Sequence, residues 1–389
     1  MGLPTFEQVF ADWDEASFHP DELTVLASFN RRLIIDLPGV DPHIVGQRGH
    51  DLLSKEALTH LIEEHLPALG LERCPVSELP PGLNACLESM DDTRRAAADA
   101  VADEVGRRLG YLLASILLST QGLSTPMVGW EKAYLNHWRT QIKHVTLGGG
   151  HANGMLGQRL CQAASQVLGV CGLQQPELSV AGHPSILPLI GAARTIPPGN
   201  WRAAALADFG GSFAKRALAG YGEDGALHSL QVLPAVSIAY LTLEGQSAGL
   251  AQAMISILAD TIRRAGPQVS LAPQVICSVA AYLQEGRPVQ YAGRNMGIYS
   301  WLNALAEDLP AWFSERVSSA SGRQVDFVFA HDGDAAAAAL AGQPHTAVVM
   351  LGSALGVGFA PPGEHFRPLA QDFRVILSGS DFSLPTHIR

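Results

Sequence analysis

Four short stretches of this sequence carry residue types that could handle phosphate. In Ala207-Asp208-Phe209-Gly210-Gly211-Ser212-Phe213-Ala214-Lys215, an apolar run beginning at Ala203 delivers a carboxylate, two glycines, a hydroxyl and an ammonium group. A strand that ends in a tight glycine turn lets backbone N–H groups close on an anion. Asp208 at the strand end could hold a metal-bound water, and Ser212 or Lys215 could reach phosphate oxygens. The same pattern also makes plain turns, so the stretch needs company before it means chemistry.

The company lies downstream and upstream. An apolar run over 325–330 reads as a strand leading to His331-Asp332-Gly333-Asp334 and an alanine-rich helix. A carboxylate there suits either a helix N-cap or a general base at a strand end. A second glycine turn, Leu351-Gly352-Ser353-Ala354-Leu355-Gly356, follows inside a hairpin read over 345–351 and 357–360. Upstream, a strand over 143–147 runs into Gly148-Gly149-Gly150 and a helix from about 153. Strand, glycine turn and helix together present N–H groups and let the backbone approach a flat base or its phosphates.

Taken together these motifs resemble the sugar kinases of the actin, Hsp70 and hexokinase superfamily, most closely the ROK family of bacterial sugar kinases and repressors. The resemblance covers roughly 92–360. It implies an α/β protein with the two-lobed actin-like, ribonuclease H-like fold and a central cleft. It implies ATP and Mg²⁺ as cofactors and a sugar as acceptor. Asp332 aligns with the family's catalytic Asp. Asp208 would hold Mg²⁺ through water, with Gly210, Gly211, Ser212 and Lys215 around the phosphates. Gly352, Ser353 and Gly356 correspond to the second phosphate motif, and Gly148, Gly149 and Gly150 to the adenosine motif. The Gly149 turn is expected to face the Ser353 turn across a nucleotide-sized cleft. His331 and Asp334 replace two family Asn residues and are substrate-binding candidates, as is Asn295. Ala354 stands where the family has Gly.

The order of the motifs departs from the family. Gly191-Ala192-Ala193 resembles the family's late Gly-Ala-Ala, yet here it precedes Asp208 across a short joint at 196–200. The chain therefore reads as a circular permutation, which is tolerable when the original termini lie close together. The expected division is 1–198 for the adenosine side, 199–330 for the first phosphate and sugar side, and 331–389 for the catalytic Asp and second phosphate segment packing back on the first lobe.

The bulk properties fit an enzyme of this size. The 389 residues are 47% hydrophobic and 16% charged, enough for real cores in two domains. A net charge of −11 without a basic cluster argues against a nucleic-acid partner. No charged-then-apolar leader and no long uncharged apolar run is evident, so no membrane partner and a cytoplasmic location are expected. Five scattered cysteines suit a reducing compartment, and the lack of Cys-x-Cys or Cys-x-x-Cys predicts no zinc. A homodimer is a candidate assembly.

The elements that must position the motifs follow from periodicity. The spacing of Ala96, Ala100, Val105, Leu109, Leu112 and Ile116 predicts a long helix over 91–119. Trp130, Tyr134 and Trp138 share one face of a helix over 129–139, as core or subunit contact. Strands are predicted over 203–207, 235–243 and 274–280, with helices over 248–264, 297–307 and 309–318. A non-catalytic sugar or nucleotide sensor on the same fold, and a superfamily enzyme acting on a non-sugar, are the competing readings. Neither a helix-turn-helix nor a basic patch of a ROK repressor is seen.

Overall fold

The computed structural model describes residues 42–118, 129–238, 247–284, 286–288, 290–291, 294–295, 298–353 and 355–377, with 35, 37 and 40. Its strands are β1 (His144–Gly148), β2 (Glu177–Val180), β3 (Ala203–Phe209), β4 (Phe213–Tyr221), β5 (Leu227–Ser237), β6 (Gln274–Val279), β7 (Leu283–Gln284), β8 (Arg287–Pro288), β9 (Gln290–Tyr291), β10 (Arg294–Asn295), β11 (Asp326–His331), β12 (Thr346–Leu351), β13 (Leu355–Phe359) and β14 (Leu369–Leu377). The protein is mixed α/β with two principal sheets. Contacts divide it into two units. Among the described residues one comprises 188–344 and 360–377, and the other comprises 42–187 and 345–359. Asp332 lies in the same unit as Asp208, and 345–359 lies in the unit of the glycine-rich upstream half.

The first unit is built on a six-stranded sheet in the order β11-β6-β3-β4-β5-β14. β3, β4 and β5 form an antiparallel meander, and β6 and β11 run parallel to β3. Every residue of β3 is buried, and its alanines leave room for elements packed on the sheet. The helices Ser247–Arg264 and Leu309–Ser321 cover the β3-β6-β11 side, where their Leu250, Met254, Leu258 and Phe313 join Phe327 and Phe329 of β11 in one core. The rings of Phe313 and Phe327 stack at 4.8 Å. Asp308 caps the second of these helices through the Ala311 N–H, and Gly322 at φ 72° ends it.

The second unit carries a four-stranded sheet in the order β13-β12-β1-β2. β12 and β13 are an antiparallel hairpin, and β1 and β2 run parallel to β12. This repeats the β4-β3-β6-β11 arrangement of the first unit strand for strand. The helices repeat too: Gly154–Val170 connects β1 to β2 as Leu309–Ser321 connects β6 to β11. The difference is chain order, because the hairpin comes after β1 and β2 in this unit and before β6 and β11 in the other. The predicted long helix is present as Asp92–Leu118. It packs closely on Gly154–Val170, where a Cβ on Gly106 would meet that of Ala163 at 2.6 Å. Tyr134 and Trp138 are core residues, both edge-on to Phe359.

Several expectations need correction. β4 was not expected: Phe213-Ala214-Lys215-Arg216-Ala217-Leu218-Ala219 reads as a helix former, yet both neighbouring strands pair with it. The strand expected over 235–243 begins earlier, at Leu227, and residues 239–243 lie outside the described residues. The helix expected over 297–307 is a 3₁₀ segment, Ile298–Ala304. β14 lies in a region with no expected element. Ala354 also falls outside the described residues.

Candidate active site

The C-terminal ends of three neighbouring parallel strands, β3, β6 and β11, deliver polar groups to one edge of the six-stranded sheet. Asp208 is the penultimate residue of β3 and is only 3% exposed. Pairing register supplies its partners. Lys215 stands opposite on β4 and Ser278 beside it on β6. The Ser278 hydroxyl donates to Asp208 Oδ1 at 2.8 Å, and Lys215 Nζ lies 3.3 Å from Oδ2. A one-residue slip of either strand would turn these groups to the opposite face. Lys215 therefore holds the carboxylate that was expected to share its phosphate.

The turn after Asp208 is a hairpin closed by the Gly210 N–H donating to the Phe213 carbonyl at 3.0 Å. Gly210 does not take a left-handed conformation, and a Cβ there would meet only the Phe213 oxygen, at 3.4 Å. Beneath it the buried Tyr299 hydroxyl donates to the Gly210 carbonyl at 2.6 Å. Burial, together with the neighbouring acidic groups Cys277, Asp208 and Asp332, pushes the Tyr299 hydroxyl well above its ordinary value. Tyr299 thus stays a donor.

On the third strand, His331 ends β11 and Asp332 opens the helix Asp332–Ala338. Asp332 Oδ1 accepts from the Gly333 N–H at 2.8 Å, so it serves its own helix start. It does not spend itself there. Burial pushes the Asp332 carboxyl up, the charge on His331 opposes this, and Asp208 adds to the rise. Asp208 therefore acts on Asp332 from the neighbouring strand end. The Asp332 side chain is 22% exposed, so a ligand can still reach it.

His331 was a candidate substrate contact, but its ring is 5% exposed and spent internally. Nε2 lies 3.2 Å from Asp332 Oδ1, Nδ1 lies 3.4 Å from Asp334 Oδ2, and the ring stacks on Tyr282 at 5.1 Å. Burial alone would lower its pKa, but the two carboxylates outweigh burial and raise it. Asn295 is placed by backbone pairing with Gln290 in the two-stranded β9-β10 sheet, not in the six-stranded sheet that carries the carboxylates.

No protein-family model matches this chain, and no curated protein does. Among solved structures, it is similar to the crystal structure of an exopolyphosphatase-like protein. The two are 12% identical over 62% of this chain and 82% of that one, with a TM-score of 0.25.

The glycine turns of the second unit sit side by side, not face to face. β1 and β12 are parallel neighbours, with Gly148 paired to Met350. Gly149, at φ 88°, is backed onto Leu351, where a Cβ would overlap the carbonyl oxygen, and its N–H donates to Pro184. A Cβ on Gly148 would meet Met350 Sδ at 2.5 Å, so only Gly150 faces open space among the three. Gly356 lies within the β12-β13 ladder, opposite Met350, while Gly352 and Ser353 form the turn.

Sequence reading missed Ser278, Tyr282 and Tyr299. A signal existed for Ser278: a polar residue follows Val275-Ile276-Cys277 at the end of a buried strand. Nothing local marks Tyr299, whose partner lies 89 residues away. Among the described residues no cluster of three or more His, Cys, Asp or Glu could cage a metal ion.

Proposed function

We propose that this chain is a sugar kinase-like phosphotransferase that passes the γ-phosphoryl group of ATP to a hydroxyl of a hexose or related sugar. The observation that carries the reading is the delivery of Asp208 and Asp332, by β3 and β11, to one sheet edge, where the charge of Asp208 acts on Asp332. Asp332 would accept the acceptor hydroxyl's proton as that oxygen attacks the γ-phosphorus and the bond to the β-phosphate oxygen breaks toward ADP. Its raised pKa makes it a stronger base than an exposed Asp. Ser278 and Lys215 orient Asp208, and the turn at Gly210, Gly211 and Ser212 would take a phosphate.

Magnesium fits this donor set, because it needs only one or two hard carboxylate oxygens besides phosphate and water. It would supply charge neutralisation on the phosphates, with Asp208 as its holder through water. Repetition of one strand arrangement in both units, with the second hairpin late in the chain, supports a permuted actin-like fold.

The test is a coupled ADP-release assay on hexoses and amino sugars with Asp332→Asn as control. Sugar-dependent release that falls by about 10²–10⁴ in the variant, with ATP binding kept, is the expected result. One observation favours a second reading, a nucleotide or sugar sensor: both Asp208 oxygens already have protein partners. ATP binding by calorimetry without turnover on any acceptor would select it.

A further inference from the structure

The His331 imidazole lies between two carboxylates contributed by one short helix, and both of its nitrogens face a carboxylate oxygen. A neutral ring has one N–H and would set a lone pair against one of these carboxylates. Only the doubly protonated ring turns an N–H toward each carboxylate, and the 3.4 Å approach of Nδ1 to Asp334 is an ion-pair contact without a hydrogen bond. Its surroundings hold it in place: Tyr282 stacks on one face, and the ring is almost wholly out of water.

We propose that His331 is a charged bridge that ties Asp332 to Asp334 and thereby fixes the aim and the ionised state of Asp332. It is a positioning residue, since it reaches an acceptor only through Asp332. The charged groups facing the cluster are Asp332 and Asp334 on the helix itself and, acting on Asp332 from β3, Asp208, which Lys215 of β4 pairs; Tyr282 supplies the stacked ring, and Tyr299 senses Asp332 and Asp208. The bridge supplies positive charge where three carboxylates would otherwise repel one another. Its part in turnover rests on the phosphotransferase reading, while the bridge itself does not.

Histidine-ring NMR on the full chain tests it. His331 is identified as the signal, among the 14 histidines, that disappears in His331→Asn or, should that variant not fold, in His331→Gln. The expected midpoint lies above the ordinary value of 6.5 and falls in Asp334→Asn. A midpoint at or below 6.5, or one that Asp334→Asn leaves unmoved, overturns the bridge. If the chain turns over, His331→Asn should move the acid limb of kcat/KM to higher pH with the nucleotide KM unchanged. An unmoved limb overturns the positioning role. Absence of turnover on every acceptor would sink the phosphotransferase reading, whereas the ring midpoint would still decide the bridge.

Discussion

Gly191 approaches the carbonyl oxygen of Ala335 so closely that a methyl group on Gly191 would overlap it, and the Ala339 nitrogen lies 2.7 Å from the same point. The helix Leu187–Thr195 thus lies backbone to backbone against the helix that Asp332 opens. Both obstructing atoms are main chain, so neither can rotate away. Gly191→Ala should cost about 1–3 kcal/mol or more through overpacking. Urea denaturation measures it, and an unchanged midpoint would refute the contact.

Ser278 is fully buried and donates to a nearly buried carboxylate. Ser278→Ala leaves Asp208 Oδ1 without that donor, which should cost about 1.5–3 kcal/mol. Turnover should fall as well, because Asp208 loses one of its two orienting contacts. The two effects separate in one experiment that reads thermal midpoint and ADP release on the same preparation.

Arg194 donates only to main-chain carbonyls: Arg367 at 2.8 Å, Ala339 at 2.8 Å and Ala341 at 3.1 Å. This guanidinium ties three chain segments of one unit together. Arg194→Met keeps the volume but strands three buried acceptors, so a loss on the order of 3 kcal/mol or more is expected. A variant as stable as the parent would show that water replaces the guanidinium.

The two units should respond oppositely to pH. In the glycine-rich unit, burial lowers His137 and His151 to about 4, with His345 adding to the first and Lys55 to the second. Their folded values lie below the ordinary 6.5, so this contribution is complete above 6.5 and is lost as pH falls toward 4. His331 in the other unit is raised above 6.5, so its contribution is complete below 6.5 and is lost as pH climbs through its folded value. Asp332, also raised, adds a loss that begins near 3.8 and grows with pH. Hydrogen exchange from pH 4 to 9 reads each unit separately; protection that moves the same way in both would contradict this assignment.

The strand-end placement of Asp208 and Asp332 was legible because each follows an apolar run, and local sequence marks where a buried strand stops. The long helix was legible from the spacing of Val105, Leu109 and Leu112. β4 was not, since Ala214, Ala217 and Ala219 carry no strand preference, and only burial between β3 and β5 makes them extended. The inward role of His331 was hidden for a related reason. Its neighbours in sequence, Asp332 and Asp334, are also its partners in space, while Tyr282, which closes the ring's face, lies 49 positions earlier and leaves no local trace. The glycine turns were visible, but spacing could not tell Gly148, packed on Met350, from Gly150, which is open.

Chain order in the second unit has a consequence for synthesis. β12 is an interior strand of its sheet, between β13 and β1, yet it leaves the ribosome only after residues 188–344. Chains generally fold as they emerge. β1 and β2 must therefore wait, with one edge of β1 bare, while the β3 to β11 portion of the six-stranded sheet is completed. A bare parallel edge is a template for any other strand. Nascent chains paused before residue 345 are then the ones that should engage holdase chaperones or each other, and insertion of a single hairpin closes that window.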